Sequence, residues 1–127
     1  MQYGFSKTID LPYDQAIEKV TAELKKEGFG VLTSIDVKET LKQKINVDFK
    51  NYAILGACNP PIAHRALQEE EDLGLLLPCN VVVYEKDNKT RVSIFDPMVM
   101  TWIMENDNIK PIATEVQERL QRVLASV

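Results

Sequence analysis

Cysteine is scarce in this chain and histidine scarcer: two of the first and one of the second. Two cysteines cannot form the framework of bridges that holds a small secreted domain together, and in a reducing compartment their default is two separate thiols. With one histidine, and no pair of cysteines spaced two residues apart, the usual zinc spacings are missing. No basic stripe is present, and at a formal net charge of −4 and a pI near 5.0 binding to nucleic acid through charge is excluded. No apolar run is long enough to cross a bilayer, so no membrane partner is expected. Met1 to Lys7 lacks the apolar stretch of a signal peptide, and the expectation is a cytoplasmic protein. Internal repeats, low-complexity tracts and linkers are also missing.

What remains is ordinary for a soluble globular domain. The 127 residues are 45% hydrophobic and 27% charged, which suits one domain, 1–127, around one core. Tyr3–Ile9 reads as a first strand. Leu11-Pro12 breaks it and opens a helix, in which Tyr13, Ile17, Val20 and Leu24 recur at helical spacing. Gly28 stops that helix. Val31–Val37 alternates as a second strand. Lys38–Lys44 predicts a short helix with Leu41 and Ile45 turned inward. Tyr52–Cys58 is the third strand, where Gly56 signals close approach by a neighbouring group.

Asn59 is a good N-cap and Pro60 a good first residue for a helix running to about Leu73, closed by Gly74. Cys79–Glu85 and Thr90–Asp96 predict a hairpin. With Asp87-Asn88 as its two-residue loop, Val83 faces Val92, Val81 faces Ile94 and Cys79 faces Asp96. Cys79, Val81, Val83, Val92 and Ile94 then share the core face. Asn80, Val82, Tyr84, Arg91, Ser93 and Phe95 fall on the other, which is too apolar for open solvent and fits a subunit interface. Met98–Asn108 suggests at most a helical turn, and Pro111 opens a last helix. The order β-α-β-α-β-α-β-β-α predicts a two-layer α+β or α/β fold: a mixed β-sheet with helices packed on it.

The candidate chemistry gathers between Cys58 and Tyr84. Cys58 precedes a helix start, where the helix dipole favours a thiolate; the alternative is a small residue packing at a strand end. A simple crossover through the third helix would put Cys58 and Cys79 at opposite ends of the sheet, unless a dimer reunites them. Pro60 and Pro61 lack N–H groups, which weakens an anion site at the same helix start. His64 falls on the polar side of that helix. Glu69–Asp72 is a run of four acids whose Glu70 lands on the apolar side of the wheel, so either its carboxyl is partly buried or the helix has ended before it. Met98, Met100, Trp102 and Met104 form a soft apolar segment; packing is the plain reading, and a soft-metal site with Cys79, Met98 and Met100 the sharper one.

Gly56-Ala57-Cys58-Asn59-Pro60, Ala63–Leu67, Gly74–Val82, Gly28–Leu32 and Asp96-Pro97 together resemble the domain of unknown function family 302, over nearly the whole chain. The resemblance implies a two-layer α/β fold and a homodimer, brings no activity or cofactor, and draws attention to Cys58, Asn59, Pro60, Pro78, Cys79, Asn80, Asp96 and Pro97. The chain shows no catalytic dyad, and no enzymatic role is assigned. The leading expectation is a homodimeric small-ligand-binding or accessory module, its site lined by Cys58, Asn59, Pro60, Cys79, Asn80 and Asp96. Two alternatives stand beside it. One is a thiol-redox or soft-metal protein using Cys58 or Cys79, with Met100 and His64 further off. The other is a structural dimer without a small-molecule site.

Overall fold

A computed structural model of the chain describes residues 2–127. Five strands, β1 (Gly4–Ile9), β2 (Gly30–Asp36), β3 (Tyr52–Cys58), β4 (Cys79–Lys86) and β5 (Lys89–Phe95), form one sheet in the order β1-β5-β4-β3-β2. Five helices accompany them: α1 (Tyr13–Lys26), α2 (Val37–Ile45), α3 (Pro60–Glu69), α4 (Val99–Ile103) and α5 (Ile109–Ser126). The class is α+β. The sheet is not mixed, however: every neighbouring pair is antiparallel. Alternating helices and strands suggested parallel crossovers, but only α1 crosses the sheet, carrying the chain from β1 at one edge to β2 at the other. From β2 onward the strands run as a meander, and α2 and α3 are excursions between antiparallel neighbours. No helix is long and apolar enough to cross a membrane among the described residues.

The β4–β5 hairpin fixes the register of the sheet's centre. Asp87 and Asn88 take φ of 53° and 64°, the left-handed pair that a two-residue turn between twisted strands requires. Lys86 then pairs with Lys89, Val83 with Val92 and Val81 with Ile94, the register expected from the sequence. Strand alternation turns Cys79, Val81, Val83, Val92 and Ile94 to one side, with Ala53, Leu55 and Ala57 of β3 beside them. Val20 and Leu24 of α1, Ile62 and Ala66 of α3, and Ile112, Val116, Leu120 and Val123 of α5 complete this single core.

The opposite face has no such cover. Tyr52, Ile54, Val82, Tyr84 and Phe95 are half-buried there. Tyr52 stacks on Tyr84 with ring centroids 5.0 Å apart. Lys50 places its Nζ 4.9 Å from the Tyr84 ring centre. Helix α2 adds little cover: it buries no residue, and Ile45, expected inward, is 63% exposed. Its apolar residues are too few to hold it against the sheet. An Asp36 cap on the Glu39 N–H and an Asn46 in the left-handed region close its two ends.

At β3 the sheet tightens. A Cβ on Gly56 would collide with Thr33 Oγ1 from β2, and would lie 2.7 Å from Pro78 Cγ before β4. Glycine is needed here for space, not for its backbone freedom. Gly56→Ala is expected to lower stability by about 1–3 kcal/mol through overpacking, and Thr33→Ala in the same chain should recover part of the loss. Urea denaturation of the two variants checks both statements; an unchanged midpoint in Gly56→Ala contradicts the packing described.

Candidate functional site

The β3–β4 pairing decides what the site contains. Ala57 lies opposite Cys79, so Cys58, one residue on, ends its strand beside the place where β4 begins. The sequence reading that put the two cysteines at opposite ends of the sheet is therefore corrected. That reading assumed a crossover helix ending in a parallel strand. Instead α3 stops at Glu69, Glu70 is extended (φ −146°, ψ 98°), and a 3-10 turn over Glu71–Leu76 brings the chain back. The Leu77–Pro78 peptide, which is cis, leads into β4. The break also answers the question of Glu70. The helix has ended before it, and its carboxylate accepts a hydrogen bond from Asn106 Nδ2 at 3.1 Å.

Between this end of the sheet, α3, α4 and α5 lies a cavity of about 50 Å³. Cys58, Asn59 and Cys79 line it from the sheet side. Ile62, Ala63 and Ala66 line it from α3, Met100 from α4, and Ile109, Ile112, Ala113 and Val116 from α5, with Phe29, Leu73 and Leu77 filling in. Nearly all of these are hydrocarbon. Of the polar groups, Asn59 is already spent. Its Oδ1 accepts from the Ile62 N–H, capping α3 as the sequence predicted, and its Nδ2 donates to the Glu27 carbonyl. Arg119 Nη1 donates to the same carbonyl at 3.0 Å. Asn59 and Arg119 thus tie the turn after α1, where Gly28 sits at φ +86°, to α3 and α5. Nothing in the sequence pattern pointed to Arg119.

The other expected residues lie elsewhere. Asn80 follows Cys79 and so points to the opposite face of the sheet, where it borders a surface groove with Leu75, Pro78 and Phe95. Pro60 is exposed at the first position of α3. Asp96 has left the strand, and its Oδ1 accepts from the Met98 N–H at 2.9 Å and from Gln117 Nε2 at 3.0 Å. Met98 turns its sulfur to Thr114 Oγ1 at 3.6 Å, while Met100 does share the cavity with Cys79. His64 is exposed on α3. Among the described residues no three His, Cys, Asp or Glu side chains cluster as a metal site.

Comparison with known proteins adds family and fold. Residues 5–127 match the model of the family described as domain of unknown function DUF302. A solved structure, the crystal structure of an uncharacterized conserved protein DUF302 from Bacillus stearothermophilus, is similar at 32% identity and a TM-score of 0.92, covering 99% of this chain and 98% of that one. No curated protein matches the chain.

The electrostatics of the two thiols follow from their surroundings. Burial pushes the Cys58 thiol above its ordinary range. It pushes Cys79 up to about 12, with the charge of a neighbouring Cys58 thiolate adding to the rise. This is opposite to the lowering that the start of α3 suggested; loss of solvent sets the direction. Both groups are neutral near pH 7, which disfavours an activated nucleophile. The sign of the stability effect follows. A thiol whose pKa is higher in the folded state favours folding fully below the ordinary thiol range, and that stability is lost as pH rises through it toward about 12. Relative to Cys79→Ala, the native chain should lose about 1.4 kcal/mol per pH unit above the ordinary range. Urea denaturation at stepped alkaline pH measures this; parallel pH profiles for the two chains contradict it.

Proposed function

The chain belongs to the DUF302 family, and from that premise we propose that it is a homodimeric binding module that holds a very small ligand in the cavity at the Cys58 and Cys79 end of the sheet. One observation carries the reading: a small, almost wholly apolar cavity whose lining includes both cysteines of the chain. Interiors are packed closely enough that such a space is unusual. Its size also limits the occupant. Pockets for drug-sized ligands run to roughly 300–1,000 Å³, and an engineered cavity of about 150 Å³ takes benzene. At about 50 Å³ this one suits an ion or a molecule of a few heavy atoms.

Binding is favoured over turnover by the state of the polar groups. Asn59 and Asp96 are committed to hydrogen bonds within the fold. The thiols are raised, not lowered. No base is within the lining to activate either of them. The partner, in this reading, is a second copy docked on the uncovered sheet face. Tyr52, Ile54, Val82, Tyr84 and Phe95 give that face an apolar centre, and Ser6, Ser93, Thr8 and Arg91 give it a polar edge, the composition of an interface core and rim.

Two variants separate the two halves of the proposal. Ala63→Leu narrows the cavity from a half-buried helix position. In ligand-detected NMR the native chain should show saturable binding of ethanethiol or dimethyl sulfide, and Ala63→Leu should lose it while remaining folded. Val82→Arg places a charge at the centre of the open face. The native chain should run as a dimer in light scattering after size exclusion, and Val82→Arg as a monomer with its cavity binding intact. Equal binding by the native chain and Ala63→Leu refutes the site, and a monomeric native chain refutes the dimer.

A further inference from the structure

We propose that the cavity is a site for one Cu(I) ion, held by the sulfur atoms of Cys58, Cys79 and Met100. The inference rests on the reading of this space as a small-ligand site and names the ligand. Both cysteines and one of the four methionines arrive at the same space from three different elements: the end of β3, the start of β4 and α4. They are the soft donors of an otherwise hydrocarbon lining. Thiolate and thioether ligands select Cu(I) among the common biological metals.

The donor set argues against the alternatives. Zinc takes four ligands drawn from cysteine, histidine and carboxylate, and among the described residues no cluster of three such groups exists. His64 is exposed and outside the cavity lining. Calcium and magnesium require several oxygens, and the one oxygen-bearing side chain in the lining, Asn59, already accepts from the α3 backbone. Cu(I) is satisfied by two or three sulfur ligands in apolar surroundings, which is what the cavity offers. The gradient of exposure supplies a route. Cys58 is half-buried, whereas Cys79 and Met100 are 6% and 4% exposed. An arriving ion meets Cys58 first and reaches the inner pair by ligand exchange.

The balance is simple. Two S–H bonds break and two S–Cu bonds form; two protons leave to solvent, and copper stays in the +1 state throughout. Met100 adds a neutral thioether. The bound unit carries one net negative charge. The N-terminus of α3 follows Cys58 directly, and the helix dipole there favours a negative charge.

The test is an anaerobic titration of the intact, reduced protein with Cu(I) against the chelator bathocuproine disulfonate, followed by X-ray absorption of the copper-loaded protein. One Cu(I) per chain with sulfur-only neighbours is expected. Met100→Leu, which nearly conserves volume, should weaken binding about tenfold, and Cys58→Ser about 100-fold. Cys58 is the thiol chosen because it is the less buried, and the urea midpoint of each variant verifies its fold. Copper that stays with the chelator overturns the inference. So does copper with nitrogen or oxygen neighbours, or an affinity that Met100→Leu leaves unchanged, since two thiols anywhere on a chain capture copper without a methionine. If ethanethiol or dimethyl sulfide fills the cavity while Cu(I) does not, the metal inference fails and the binding module stands. If neither binds, both fail.

Discussion

The antiparallel pairing of β3 with β4 is the constraint on which the rest depends. Because Ala57 faces Cys79, the end of one strand and the start of the next lie side by side, and the chain between them must leave and return at the same end of the sheet. Helix α3 goes out, the 3-10 turn brings the chain back, and α4 and α5 close over the gap. A ten-residue helix is about 15 Å long, short of the roughly 23 Å that a seven-residue strand covers. It is cut short at Glu69 and the path folds back on itself. Had the two strands been parallel, the two thiols would stand at opposite ends of the molecule and the cavity would have no sulfur on its far wall.

Much of this was legible in the residues. The register of the hairpin followed from Asp87-Asn88, because few sequences tolerate two successive left-handed residues and asparagine and aspartate do so most readily. The cap of α3 followed from Asn59-Pro60, and the tight contact at Gly56 from a glycine inside a strand. These are local signals, set by one or two residues. The direction of a strand after a helix is not local. The alternation of helices and strands is the same in a parallel crossover and in an excursion between antiparallel neighbours, so the sheet read as mixed. The break at Glu70 carried the answer, but a run of acids reads equally as a solvated helix face. Asn80, expected with Cys79, shows the cost of treating a motif as a unit: adjacent strand residues face opposite ways.

The two faces of the sheet show how composition divides labour. Valine, leucine and alanine on the helix side make a dry core. Tyrosine, isoleucine, serine and arginine on the other make a surface that water and a second protein surface can both cover. The cavity lies at the boundary of the dry side, where the strands end and the helices no longer meet them closely. Alanines at Ala57, Ala63, Ala66 and Ala113 keep it open, and larger residues at any of these would close it. Small side chains around two cysteines and a methionine are a wasteful way to build a core and an economical way to keep a soft, water-poor space.

A xenon-pressurised crystal structure tests this account at its centre, because xenon enters small apolar spaces and is seen directly by its scattering. The account predicts one xenon atom per chain, bounded by Cys58, Cys79 and Met100 beneath the Ala63 turn of α3. Side chains in direct contact across this region, with no xenon between them, would mean that the sulfur atoms are packing and that the site does not exist.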